Sequence, residues 1–187
     1  MASVSYRIEG PKETLEKIND AILKAMSQKE HWDEWKACIN LGFTEEELDD
    51  KRLGGEISEE PSLSESLLEF YAEERWGLQD FEELLRQKFP EIKVYWVVEE
   101  SGCEVYCTND KEGKYFPERY YVELCQDDQI DCEYFKTEES MYKWLSEKTG
   151  SRIHNIETAE QFNQDYEEEA LDDENYIIIH YFDVIED

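Results

Sequence analysis

The chain has 187 residues, 49 acidic and 19 basic side chains, a formal charge of −30, and 5 Trp, 12 Tyr and 8 Phe. Such an aromatic load excludes general disorder, since disordered acidic chains lack the large apolar side chains that offset chain entropy. The charge excludes direct binding to DNA, RNA or anionic membrane surfaces, where each phosphate contact needs a Lys or Arg, and no apolar run approaches the roughly 20 residues that span a bilayer.

Val4, Tyr6 and Ile8 alternate with Ser5, Arg7 and Glu9, the period of a strand with one buried face. Gly10-Pro11 stops it, and a helix to about Met26 follows with Leu15, Ile18, Ile22 and Met26 on one stripe. A second helical stretch over 30–41 carries Trp32, Trp35 and Ile39 and ends at Gly42. Thr44 and Glu47 form a capping-box pattern that opens a short acidic helix. A short strand is predicted over 53–58, then a loop. Leu68, Phe70 and Ala72 next alternate with Glu69, Tyr71 and Glu73, and residues 78–89 return to helical period before Pro90.

IKVYWVVEESGCEVYCT reads as a hairpin through a two-residue Ser101-Gly102 turn, with Cys103, Val105 and Cys107 on one strand face. A third strand is predicted in RYYVELCQ and a fourth from Ile130 to Phe135. Thr137 caps a helix that closes at Lys148 and Gly150, and a weakly amphipathic helix follows through Phe162 and Tyr166. The last run, NYIIIHYFDVIE, is apolar on both faces, which predicts a covered, central strand. The acids before it then belong to a helix or loop leading into a sheet.

The order β-α-(α)-β-β-α-β-β-β-(β)-α-α-β gives an α+β class. Its first part matches a ferredoxin-like β-α-β-β-α-β core, with additional antiparallel strands and C-terminal helices returning to a sheet strand. No linker rich in Pro or Gly divides the chain, so a single unit over 1–187 is expected. Any subdivision would separate a 1–125 ferredoxin-like core from a 126–187 α/β extension.

The run Ile8-Glu9-Gly10-Pro11, a strand into Trp76, a helix closing at Phe89-Pro90, a strand into Glu99-Glu100-Ser101-Gly102, and Phe116-Pro117 before the next strand form one pattern. Over roughly residues 2–125 it resembles the YubB-type ferredoxin-like domain family of plasmids, phages and other mobile elements. The resemblance implies a fold and a mobile-element setting and brings no catalytic residue with it. Glu99 and Glu100, beside the hairpin turn, read as solvated strand ends.

Chemistry is sparse. His31, His154 and His180 lie far apart, no C-x-x-C or H-x-x-H spacing occurs among them and the five cysteines, and zinc is therefore not expected. Asp127, Gln129, Asp131 and Glu138 occupy positions 1, 3, 5 and 12 of a calcium-loop spacing, but Cys132 stands where that loop needs Gly. No nucleophile elbow or phosphate-cradling loop is present, since Gly54-Gly55 runs into Glu56. No cofactor is expected. The start of the chain lacks the pattern of a signal peptide, and reduced thiols with a cytoplasmic location are the expectation.

Residues 151–187 hold 12 acids and one base, Arg152. The expectation is a non-enzymatic protein that binds a basic protein partner, as a nucleic-acid mimic or as an inhibitor or immunity-like protein. Its candidate carboxylates are Asp165, Glu167, Glu168, Glu169, Asp172, Asp173 and Glu174. Its candidate exposed aromatic anchors are Tyr71, Tyr95 and Tyr106. The alternative is a small-ligand enzyme whose site is assembled from residues distant in sequence.

Overall fold

A computed structural model describes residues 1–75, 80–126, 129–169 (165–169 as backbone only) and 175–185. It shows an α+β protein that divides into two compact units, residues 1–111 with 185–187, and residues 112–184. The division falls within the NDKEGK segment, so RYYVELCQ belongs with the later elements.

In the first unit β1 (Ala2–Glu9) is followed by α1 (Lys12–Met26), α2 (Asp33–Asn40), α3 (Glu45–Leu48), β2 (Gly55–Ile57), β3 (Ser62–Leu63), β4 (Leu67–Glu74), α4 (Phe81–Lys88), β5 (Lys93–Glu100) and β6 (Val105–Thr108). Its strands lie in the spatial order β6-β5-β1-β4-β2, with β3 also on β4. β1 is antiparallel to both β4 and β5, pairing Tyr6 with Phe70 on one side and with Trp96 on the other. The even-numbered side chains of these strands, among them Val4, Tyr6, Ile8, Phe70, Ala72, Val94, Trp96 and Val98, are buried with Leu15, Ile18 and Ile22 of α1 and Phe81 and Leu85 of α4. Tyr6 stacks on Phe70 with ring centroids 4.7 Å apart, a near-parallel arrangement that adds to area burial. The predicted capping box forms: Thr44 Oγ1 accepts from Glu47 N, and Thr44 N donates to Glu47 Oε2 at 2.7 Å.

Two expectations change here. The segment read as a loop before β4 contains β3, whose Leu63 pairs with Leu68. The β5–β6 connection is longer than two residues: a 3₁₀ turn, Ser101–Cys103, is closed by Glu104 in the left-handed region at φ 52°, and Glu100 pairs with Val105. Cys103 therefore sits exposed in the turn and shares no strand face with Cys107.

The second unit contains β7 (Tyr120–Gln126), β8 (Gln129–Phe135), α5 (Glu138–Thr149), α6 (Ile156–Glu169), β9 (Tyr176–Tyr181) and a two-residue strand, β10 (Asp183–Val184). β8, β7 and β9 form an antiparallel sheet in that order. Val122, Leu124, Phe135 and Ile177 pack with Met141 and Leu145 of α5 and Ala159 and Phe162 of α6. Thr137 Oγ1 accepts from Ser140 N, and Gly150 ends α5 at φ 68°, as the sequence predicts. Asn163 on α6 accepts from Ile177 N and donates to Ile177 O, tying helix to strand.

The last long strand corrects the sequence reading. β9 lies at the edge of its sheet, with β7 in the centre. Apolar residues occupy both its faces, yet only one meets helices: Ile177 is 5% exposed and Ile178 40%. No helix of the described residues is long and apolar enough to cross a membrane. The edge placement has a measurable consequence. Ile177→Ala is expected to cost about 2–5 kcal/mol and Ile178→Ala well under about 1 kcal/mol in urea unfolding; equal losses would mean that β9 is covered on both faces.

Candidate functional site

The helices of the first unit cover one face of its sheet, and the odd-numbered side chains of β1 point to the other. The registers place Glu56, Glu73, Ser3, Glu99 and Tyr106 in one row across the strands. Tyr71, Ser5 and Val97 form the next row, and Glu69, Arg7 and Tyr95 the one after. Exposure is greatest toward β4 and β2, where Glu56 is exposed and Tyr71 is 43% exposed.

Arg7 organises the middle of this face. Its Nε lies 2.7 Å from Glu69 Oε1, an Nη donates to Tyr71 Oη at 2.9 Å, and its guanidinium sits 5.1 Å from the Tyr71 ring centroid. Arg7 thereby holds the Tyr71 hydroxyl and ring while the residue stays largely open to solvent. Glu56 and Glu73 lie directly opposite one another on β2 and β4. Glu73 accepts from Ser3 Oγ at 3.0 Å, and neither carboxylate has a cationic partner among the described residues. Like charges facing each other across strands are destabilising, so a cation supplied from outside would relieve the pair.

The sequence-derived anchors divide accordingly. Tyr71 and Tyr95 do share this face, Tyr95 being half-buried with its hydroxyl 3.5 Å from Glu9 Oε2. Tyr106 is a correction: at 4% exposure it is enclosed at the β6 end of the face, where Thr108 is buried too, and it presents nothing to a partner. Asp165, Glu167, Glu168 and Glu169 belong to α6 by backbone, their side chains lying outside the described residues, as do Asp172, Asp173 and Glu174 entirely. Of the calcium spacing, Asp127 also lies outside, while Gln129 and Asp131 fall in the extended β8 and build no loop. No group of three or more His, Cys, Asp or Glu among the described residues could hold a metal.

Beneath the sheet lies a cluster that sequence reasoning missed. Glu34, Glu74 and Tyr6 are all fully buried. Tyr6 Oη donates to Glu74 Oε1 at 2.5 Å, and Gly55 N donates to Glu34 Oε2 at 3.0 Å. The Glu34 carboxyl also meets that of Glu74, and a hydrogen bond between two carboxyl groups requires one proton between them. Burial, then the charge of Glu74 and this hydrogen bond, push Glu34 well above the usual carboxylate range, against the opposing pull of the Gly55 N–H. Glu34 thus keeps its proton to higher pH than an exposed Glu, and Glu74 accepts from Tyr6. Burial, followed by Glu74, raises the Tyr6 hydroxyl, and burial, followed by Glu34, raises the Cys38 thiol to about 12.

The cluster also closes the β2 edge. Asp33 Oδ2 accepts from Ile57 N at 3.0 Å, so consecutive acids at the start of α2 take alternate N–H groups of β2. Gly55 is required because a Cβ there would collide with the Glu34 carboxyl. Two sequence signals could have found these acids: Glu34 precedes Ala37 and Cys38 at helical spacing, and Glu74 continues the inward phase of Leu68, Phe70 and Ala72.

A groove elsewhere in the first unit is lined by Lys17, Lys24 and Lys88 with Asp20, Asn40 and Phe89. Lys24 and Lys88 stand in the last turns of α1 and α4, where cations complement the helix dipole. Their placement is accounted for by the helices. No protein-family model, curated protein or solved structure matches the chain.

The shared proton fixes a sign for pH dependence. An ordinary Glu ionises near 4.5, whereas Glu34 holds its proton in the fold, so its stabilising contribution is complete below that value and is lost as pH rises through the raised folded-state pKa. Glu34→Gln keeps an N–H donor for Glu74 and an acceptor for Gly55. The urea midpoint of the wild type is expected to fall between about pH 5 and pH 8 more steeply than that of the variant; parallel profiles would remove the shared proton from the account.

Proposed function

We propose that this protein binds a basic protein partner through the open sheet face of its first unit. The observation that carries the reading is the Glu56–Glu73 pair, two carboxylates opposed across strands beside the exposed Tyr71. A Lys or Arg of a partner seated between them would replace a repulsion by two attractions, and the Tyr71 ring offers a stiff aromatic anchor of the kind that dominates interface energies. The surrounding excess of acid, −30 over the chain, steers such a partner in and makes the association rate fall with salt. A nucleic-acid mimic and an immunity-like inhibitor share this chemistry. The acidic residues 165–174 belong to the same reading as a second source of carboxylates.

We also infer a ferredoxin-like core. The element order β1-α1-β2-β4-α4-β5 with the spatial order β5-β1-β4-β2 supports it, with α2, α3 and β3 as insertions and β6 as an added strand. The mobile-element setting rests on the YubB-type resemblance alone. A reducing cytoplasmic location fits five cysteines that no disulfide joins. The enzyme alternative has one observation in its favour, His180 Nε2 at 3.5 Å from Glu123 Oε1, and that pair lies on a strand face.

The test is a binding panel of folded basic proteins with pI above about 9, measured by calorimetry at low and high salt. At least one is expected to bind at low salt, with affinity falling as salt rises. Tyr71→Ala should weaken that complex by about 2 kcal/mol or more. The double variant Glu56→Gln, Glu73→Gln should weaken it while leaving the urea midpoint unchanged or raised. Binding that survives all three substitutions, or no binding by any member, contradicts the proposal.

A further inference from the structure

β8 stands apart from every other strand of five or more residues among the described residues. Gln129, Ile130, Asp131, Cys132, Glu133 and Tyr134 are all exposed, six in succession, and only Phe135 is buried. A strand covered on one face shows alternation; a run without it is open on both faces. Among the described residues β8 pairs with β7 alone and ends its sheet's strand order, and along it Tyr134 N donates to the neighbouring Glu133 Oε1 at 3.3 Å. It carries no Pro and no Lys, the residues that commonly blunt an exposed edge.

Its two faces differ in chemistry. Asp131 and Glu133 share the face of Phe135, toward α5, and Lys148 reaches across to Asp131 at 2.8 Å. Ile130, 59% exposed, and Tyr134, 43% exposed, stand on the opposite face with Cys132. There Tyr134 joins an aromatic row across the sheet, 4.7 Å from Tyr121, which in turn stacks on His180 at 5.7 Å.

We propose that β8 is a docking edge for an extended peptide whose residues alternate between cationic and apolar. Such a strand adds to the sheet through main-chain hydrogen bonds, which supply affinity, while alternate side chains read the two faces. Its cations fall beside Asp131 and Glu133, one of them sharing Asp131 with Lys148, and its apolar side chains fall beside Ile130 and Tyr134. Charge argues against a second copy of this chain as the occupant: antiparallel pairing of two β8 strands about Cys132 would set the Asp131 of each against the Glu133 of the other. This surface belongs to the second unit and is independent of the Tyr71 face, so the two proposals stand or fall separately.

Amide hydrogen exchange of the full chain tests it, with synthetic octapeptides KVKVKVKV, KKKKVVVV and EVEVEVEV at concentrations up to about 1 mM. KVKVKVKV is expected to slow exchange across residues 129–135 about tenfold or more, with the block-ordered and acidic peptides doing far less. In the double variant Asp131→Lys, Glu133→Lys the preference should pass to EVEVEVEV. The wild-type protection map stands by itself should the variant fold poorly. Absence of protection, protection confined to other strands, or equal protection by the block-ordered peptide overturns the proposal.

Discussion

The side-chain alternation of β1, pinned between β4 and β5, is the constraint from which the first unit follows. Ala2, Val4, Tyr6 and Ile8 are essentially inaccessible, and a register slip of one residue would carry them all to solvent. Because both neighbours pair with β1 residue by residue, the same phase is imposed on Leu68, Phe70 and Ala72 and on Val94, Trp96 and Val98. Helices α1 and α4 then cover that side only. What remains on the other side is determined by the same alternation: Ser3, Ser5, Arg7 and Glu9 in the centre, flanked by the glutamates and tyrosines of β4 and β5.

The alternation also brings a polar group into the core at Tyr6, and the core answers it with two acids. Burying carboxyl groups is costly unless each is hydrogen-bonded and their charge is reduced. Sharing a proton achieves the second, and the Tyr6 hydroxyl with the Gly55 N–H achieves the first. The result links β1, β4, α2 and β2 through side chains that a purely apolar core would leave unlinked. An acidic protein thus uses carboxyl groups in two states: neutralised and structural beneath the sheet, ionised and opposed above it.

Much of this was legible in the chain. Period-two runs located β1 and β4, the hairpin-like IKVYWVVEESGCEVYCT and the run RYYVELCQ located β5 and β7, and local chemistry located the ends of helices, as with the Thr44–Glu47 box and the Thr137 and Gly150 caps of α5. The failures share a cause: they concern tertiary context that no local pattern carries. Ile178 is as apolar as Ile177, so only the sheet's small width tells that one side of β9 is uncovered. Tyr106 alternates like Tyr71, yet its surroundings close over it. Glu34 and Glu74 sat in buried phase but were indistinguishable by type from 47 other acids. For the candidate site, the pattern supplied the tyrosines and the excess of charge; the opposition of Glu56 and Glu73 needed the register of β2 on β4.

The central claim is that a basic partner covers the Tyr71 side of the first sheet. Hydroxyl-radical footprinting with and without a bound basic protein reads this directly, residue by residue. The account expects modification of Tyr71 to drop several-fold in the complex while Tyr181, 45% exposed in the other unit, keeps its rate. Tyr71 remaining as reactive in the complex as in the free protein would contradict it.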